Sequence, residues 1–499
     1  MSKKIMVQGT SSSVGKSIIA TALCRIFTED GFQVSPFKSQ NMSLNSHVTT
    51  EGYEMSQSQF IQALACSKAP HVNMNPILLK PTSNQTSQVI LMGKAVENMG
   101  AADYFKYKKD LKDIIMSAYH NLESESDVVV IEGAGSPAEI NLKSDDIVNM
   151  GLAQMVDAPV ILIADIDRGG VFASIYGTVM LLEEEEKKRI KGIIINKFRG
   201  DKNLLMPGVR QIEELVGIKV LGVIPYFNLD LDEEDSVIDW RKFSKVQDTK
   251  LDIAVINLPH ISNFSDFHPL TIIKDITLRF VDLDEDIGDA DLIILPGTIS
   301  TIEALKQMKE SGMDQRILQS HQKGTPLMGI SGGYQILGKT IKEVQTIEKE
   351  EVEIRGLGII QMDTLYSRDK NTSLVEGSDY LSLTEVQGYE IHMGKSTHHQ
   401  IYPPLLTIKK RNNLEIASMN EGIMDLENGL MGTFVHGIFE NGNFTRGLLD
   451  YLCHKKGIEP LEEVIGDFWI HREKEIDKLG KIVRENIDME SLYDVLHES

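Results

Sequence analysis

The segment Gly9-Thr10-Ser11-Ser12-Ser13-Val14-Gly15-Lys16-Ser17 joins a short apolar run to a helical pattern. Glycines let such a loop curl so that its N–H groups, with the first turn of the helix, face an anion. Lys16 carries the right charge for the β- and γ-phosphates of a nucleotide, and the Ser17 hydroxyl suits magnesium. Gly9, Thr10, Gly15, Lys16 and Ser17 are therefore the candidate nucleotide-binding residues, although Gly9 and Gly15 stand one residue further apart than in the strict G-x4-G-K-[ST] form. Leu327-Met328-Gly329-Ile330-Ser331-Gly332-Gly333 reads as a strand, a sharp turn and a helix. Such a turn lifts residue 331 above a sheet with helix N–H groups behind it, the layout of an oxyanion hole. Residues 329–333 also fit G-x-S-x-G, so a serine hydrolase is a competing reading. It leaves the first loop without a purpose.

These loops need strands to present them. Residues 4–7, 127–131, 159–164, 192–196 and 220–224 are apolar runs ending in polar or glycine-bearing loops, with helical patterns between them such as 18–28 and 147–156. Continuous apolar strands separated by helices predict a parallel sheet covered on both faces, with ligands at the carboxyl ends of its strands. The rhythm breaks near the acidic residues 230–235 and resumes with strands at 251–256, 292–295 and 327–330. The expected fold class is thus α/β with two domains. Residues 1–235 form a P-loop domain with a parallel sheet, 236–250 a linker and 251–440 a second α/β domain. Residues 441–499 are a helical segment packed on the second domain. The acidic run 183–186 reads as a solvated helix face.

A chain of 499 residues, 41% hydrophobic and 25% charged, is long enough for more than one core and too apolar for disorder. Its net charge of −22 argues against a nucleic-acid partner, because phosphates are repelled. No run of about 18 apolar residues predicts a membrane span, and the opening MSKKIMVQGT lacks the apolar core of a signal peptide. Cys24, Cys66 and Cys453 are too scattered for a disulfide framework or a zinc site, which fits a reducing cytoplasm.

The long phosphate loop resembles that of dethiobiotin synthetase and its relatives, which phosphorylate a carboxylate. Pro36-Phe37-Lys38, Ile131-Glu132-Gly133-Ala134-Gly135 and Asn196-Lys197 extend the resemblance. It implies Lys38 as a catalytic lysine beside the γ-phosphate, Glu132 with Ser17 as Mg²⁺ ligands, and Asn196 against adenine. Residues 327–338 resemble the nucleophile elbow of class I glutamine amidotransferases. Leu295-Pro296-Gly297-Thr298 resembles their second oxyanion loop, and Gly432-Thr433-Phe434-Val435-His436-Gly437 the strand end with their catalytic histidine. The implied site is nucleophile position 331, base His436 and oxyanion donors Gly297 and Gly332. Those enzymes use cysteine at this position, and here it is Ser331, whether natural or introduced. A serine is far less acidic and needs a well-oriented base. With Ile438 where a Glu is usual and Glu440 a weak substitute, Ser331 is expected to be a poor glutaminase.

The joined architecture resembles the corrinoid amidases, and residues 8–17, 36–45, 74–81, 131–142, 165–172, 196–201 and 388–394 resemble the cobyric acid synthase family. The resemblance implies ATP as co-substrate with Mg²⁺. The reaction is amidation of the b, d, e and g carboxylates of adenosylcobyrinic acid a,c-diamide, with nitrogen from glutamine or free ammonia. A cobyrinic acid a,c-diamide synthase, another carboxylate amidase and, more distantly, a P-loop regulatory ATPase are the alternatives. Asn41, Asn45 and Arg168 lie in matching loops as corrinoid or phosphate contacts, or as loop braces. His260 and His392 read as structural.

Overall fold

The computed structural model describes residues 2–498 except 84, 101–102, 105–106, 108–110, 232–248, 345–350 and 465. Most of the linker expected at 236–250 lies outside the described residues. In the first domain, strands Lys3–Gly9, Val34–Phe37, Val128–Glu132, Val160–Asp165, Ile190–Phe198 and Val220–Pro225 form one wholly parallel sheet. Lys3–Gly9 is central, between Val128–Glu132 and Val160–Asp165. Its residues alternate between two cores: Met6 joins one, Ile5 and Val7 the other. That explains the unbroken apolar runs, since both faces are covered. Connections run to either side of Lys3–Gly9, so the loop at its carboxyl end opens into the crevice where strand order reverses.

Between Phe37 and Lys112 the chain inserts a four-stranded sheet of Gln40–Met42, Ile77–Pro81, Thr86–Leu91 and Lys94–Gly100. A hairpin, Ser46–Val48 with Glu54–Ser56, and the helix Gln57–Ala65 belong to the same insertion. The second domain has a largely parallel sheet ordered Ile276–Val281, Leu251–Ile256, Leu292–Leu295, Leu327–Ile330, Leu430–Thr433, with Ile423–Asp425 antiparallel at the edge. A second, mostly antiparallel sheet is built around the long strands Met362–Asp379 and Glu385–His398.

The tail departs from expectation. Helix Gly442–Lys456 buries Leu448, Leu449 and Leu452 in the second-domain core. Helices Phe468–Asn486 and Met489–His497 instead return to the first domain, placing Ile476, Leu479, Val483, Leu492 and Leu496 against Ile19, Leu23 and Phe27 of the phosphate-loop helix. Arg25 pairs with Glu473 (2.5 Å) and Arg484 with Asp30 (2.9 Å) along that seam. An apolar stripe shows that a helix is buried but not on which face, so packing of residues 441–499 on the second domain is corrected for the last two helices. The acidic run 183–186 is also more than a solvated face. Glu183 and Glu186 form a capping box, and buried Glu186 pairs with Lys143 at 2.7 Å. Among the described residues, no helix is long and apolar enough to cross a membrane.

Candidate active sites

The phosphate loop leaves the central strand at Gly9, where an added Cβ would lie 2.6 Å from Val14 Cγ2. Gly15, at φ 101°, adopts the left-handed conformation that turns the loop into the helix Lys16–Glu29. The Thr10 amide donates to Ile163 O (2.9 Å), so its backbone continues the sheet at the root of the loop. Lys16 Nζ bridges two loops by donating to Ser11 O (3.0 Å) and Gly135 O (3.1 Å). Asn196 Nδ2 donates to Val14 O (2.9 Å) and braces the loop from Ile190–Phe198, two strands along the sheet.

Glu132 gathers this site. Its Oε1 accepts from Ser17 Oγ (2.8 Å) and Lys38 Nζ (2.7 Å), and its Oε2 from Gln62 Nε2 (2.6 Å) and Gln59 Nε2 (3.3 Å). Glu132 and Lys38 are both buried, so the pair holds its geometry without water. The Ser17 hydroxyl and the Glu132 carboxylate are hard oxygen donors in contact, a set that fits Mg²⁺. Gln59 and Gln62 escaped the sequence reading because no motif marks them. The available signal was a pair of amides three apart on one helix face. Above these groups opens a cleft of about 1090 Å³, lined by Lys16, Ser17, Lys38, Asn41, Arg168 and Asn196 among others.

In the second domain, Ser331 sits at φ 51°, ψ −113° between Leu327–Ile330 and the helix Gly332–Ile336. That is the strained elbow the spacing of glycines implied, a conformation a non-glycine residue holds only when its surroundings enforce it. Gly329 and Gly333 enforce it: added Cβ atoms would meet Tyr334 N at 2.8 Å and Leu295 O at 2.0 Å. Gly297 lies against the His436 ring, 2.9 Å from an added Cβ to Cε1, and Gly332 lies against Thr298. Ser331, His436, Gly297 and Gly332 therefore converge.

The third member of this set comes from elsewhere. Asp266 Oδ2 accepts from His436 Nδ1 (2.7 Å) and its Oδ1 from the Gly437 amide (2.8 Å), all buried. A carboxylate on Nδ1 assigns the proton to that nitrogen and leaves Nε2 as the base. Among the described residues Nε2 is buried without a hydrogen-bond partner, and Ser331 Oγ donates only a long bond to Ile391 O (3.5 Å). Glu440 is not a substitute, since it pairs with Arg472 at 2.6 Å. Asp266 was missed because it precedes the elbow and lies 170 residues from His436.

Residues 3–234 match the AAA domain family and residues 252–444 the CobB/CobQ-like glutamine amidotransferase domain family. The chain is 48% identical to the cobyric acid synthase of Clostridium novyi (strain NT) over 497 residues, covering 100% of this chain and 98% of the relative. The chain belongs to the cobyric acid synthase family. It is also 48% identical to the cobyric acid synthase of Caldanaerobacter subterraneus subsp. tengcongensis, covering 99% of each chain. With that of Photorhabdus laumondii subsp. laumondii it shares 46%, covering 99% of this chain and 98% of the relative.

In this member of the cobyric acid synthase family, the three expected substrate contacts separate. Asn41 and exposed Arg168 line the cleft. The Asn41 amide is already shared among Ser56, Ser58 and Gln59. Asn45 is corrected: it is wholly buried at the domain junction, where its Oδ1 accepts from the Ser265 amide (3.4 Å). Its neighbours also grip that turn, with the Asn263 amide donating to Leu44 O and Ser46 N to Asn263 Oδ1. The first domain thereby braces the turn that carries Asp266. His392 stacks on Phe434 (4.2 Å) beside the Ser331 pocket, and His260 lends its carbonyl to the Ile299 amide.

Glu421 fixes the strand end before His436, accepting from Thr433 Oγ1 (2.7 Å) and Phe434 N (2.6 Å). Burial, and then neighbouring Glu390, push its carboxyl from 4.5 up to about 8. The folded chain keeps a proton that the unfolded chain releases, so stability falls as pH rises from about 4.5 to about 8 and levels off above. Glu421→Gln, which mimics the protonated acid, is expected to flatten that slope. Urea midpoints at pH 5 and pH 8 check it.

Proposed function

We propose that the chain amidates the b, d, e and g carboxylates of adenosylcobyrinic acid a,c-diamide, one ATP for each amide. The reading is carried by the Ser17–Glu132–Lys38 cluster facing the large cleft. A carboxylate is a poor acylating agent because its leaving group is oxide. In the proposed reaction a substrate carboxylate oxygen attacks the γ-phosphorus and ADP leaves. Ammonia then attacks the acyl carbon, phosphate departs and the amide nitrogen loses a proton. Lys16 and Lys38 bear the charge of the transferring phosphoryl group. Mg²⁺ held by Ser17 and Glu132 would add Lewis-acid stabilisation of the phosphate oxygens. Asn41 and Arg168, which line the cleft, would meet the corrinoid side chains, and the buried free thiols Cys24, Cys66 and Cys453 support a cytoplasmic setting.

Ammonia is supplied by glutamine at Ser331, with His436 as base, Asp266 orienting it and Gly297 and Gly332 framing the oxyanion. The carboxylate behind His436 answers the objection that no third residue stood there. Serine remains the weaker nucleophile, because its hydroxyl ionises far less readily than a thiol. The test supplies the corrinoid and Mg-ATP with either ammonium or glutamine and counts added amides by mass spectrometry. Four additions from ammonium are expected, with slower addition from glutamine. Ser331→Cys is expected to raise the glutamine-driven rate by roughly tenfold or more and leave the ammonium-driven rate alone. No amide from either donor would sink the corrinoid reading.

A further inference from the structure

Beside Ser331 lies a small recess of about 30 Å³ built by both domains: Lys80 and Gln88 from the first, and Ser331, Gly332, Lys370 and His392 among those from the second. Its charges do not balance. Lys80 Nζ (2.9 Å) and Lys370 Nζ (2.5 Å) both pair with Glu54, one on each oxygen; Lys80 and Glu54 are buried and the Lys370 side chain is 10% exposed. Lys80 also donates to Ser46 Oγ (2.8 Å) and Lys370 to Gln88 Oε1 (2.8 Å). Each ammonium has three N–H groups, so among the described residues one on each is left without a protein acceptor. Glu54 stands behind the two lysines and, among the described residues, no carboxylate lines the space itself; burial holds the His392 ring toward its neutral form, and Tyr366 is pushed up to about 12. Two cations and one anion leave one positive charge in the wall of this space, and burial, with Lys80 beside it, lowers the Lys370 ammonium to about 8 despite Glu54, a cost that a bound anion would relieve.

We propose that this anion is the α-carboxylate of the amide donor, held by Lys80 and Lys370 while its side-chain amide reaches Ser331. The synthetase domain thus completes the glutamine site, which rests on the reading that Ser331 takes glutamine. Glutamine carries its one carboxylate at the end opposite its amide, matching a site with a nucleophile and a cationic pair in its walls. The space as it stands holds about one water. Gln88 and Met393, which touch across the domain junction (Nε2 to Sδ, 3.8 Å), give way as the donor enters.

Calorimetric titration of the full chain with L-glutamine and with L-glutamine methyl ester, whose carboxylate is blocked, tests this. The native chain should prefer glutamine over the ester by tenfold or more. Lys80→Gln and Lys370→Gln should each weaken glutamine binding by roughly tenfold to a hundredfold, the loss of a charge-assisted hydrogen bond. Both should abolish the preference over the ester, and Lys80→Arg should restore most of it. Variants that bind glutamine as tightly as the native chain, or that keep the preference, overturn the proposal. Because each Gln variant removes one of the two lysines that neutralise buried Glu54, amidation from ammonium serves as the check of fold. If it is lost, the native chain and Lys80→Arg decide alone, and equal binding of ester and glutamine overturns the proposal. Absence of glutamine binding to the native chain overturns both this proposal and the donor reading, while amidation from ammonium would leave the synthetase reading standing.

Discussion

Asp266→Asn is expected to lower glutamine-driven amidation by about 10⁴-fold, the scale of removing the carboxylate behind a catalytic histidine, and to spare amidation from ammonium. The hydrogen-bond arithmetic at this turn makes the effect specific. Asp266 accepts twice, from His436 Nδ1 and from the Gly437 amide. Asparagine has only one oxygen. If that oxygen faces the Gly437 N–H, its NH₂ donates to Nδ1 and drives the proton to Nε2, where the base must be empty. If it faces Nδ1, two donors confront each other at Gly437 in a buried site. The first arrangement is the less costly, so the fold survives with the wrong tautomer. Parallel assays with glutamine and with ammonium check this. Equal loss with both donors would mean that Asp266 serves the fold rather than the glutaminase.

Glu132→Gln should act in the opposite pattern, removing amidation by about 10²–10³-fold or more whichever donor is supplied. Glu132 holds Ser17 and Lys38 on one oxygen, and Lys38 is buried beside it. The amide cannot neutralise Lys38 and is a poorer ligand for a hard cation. Removing one partner of a buried ion pair costs about 3–5 kcal/mol, so the melting temperature should fall as well. Mg-ATP should recover part of that fall, because its phosphates offer Lys38 a new anion. Melting curves with and without Mg-ATP, beside rates with each donor, separate the contributions. A Glu132→Gln variant that amidates normally from ammonium would remove Glu132 from the phosphoryl-transfer site.

The two patterns rest on information of different kinds. The Glu132 site was legible along the chain because its parts fall at the ends of neighbouring strands, each announced by an apolar run: Gly9 through Ser17, then Lys38, then Glu132. A parallel sheet brings such ends together by its own geometry, so local pattern translates into spatial proximity. The elbow at Ser331 was legible for the same reason, with Gly329, Gly332 and Gly333 where side chains would collide. The insertion from Gln40 to Gly100 carried no comparable signal, and with it went Gln59, Gln62 and the hairpin holding Glu54. The antiparallel strands from Thr340 to Glu421 were equally silent.

From its own order, the chain determined two α/β units, a phosphate loop, a nucleophile elbow and the strand end bearing His436. Each is a short segment whose backbone conformation follows from its local glycines and apolar runs. Only the tertiary structure decided that Asp266 stands behind His436, that Asn45 braces the turn beside it and that the last two helices cover the first domain. It also decided that Lys80 and Lys370 share Glu54 across the junction. Those are contacts between residues dozens to hundreds of positions apart. Their cause is the burial of charge and apolar surface between elements, a property of the packed pair that neither segment carries alone.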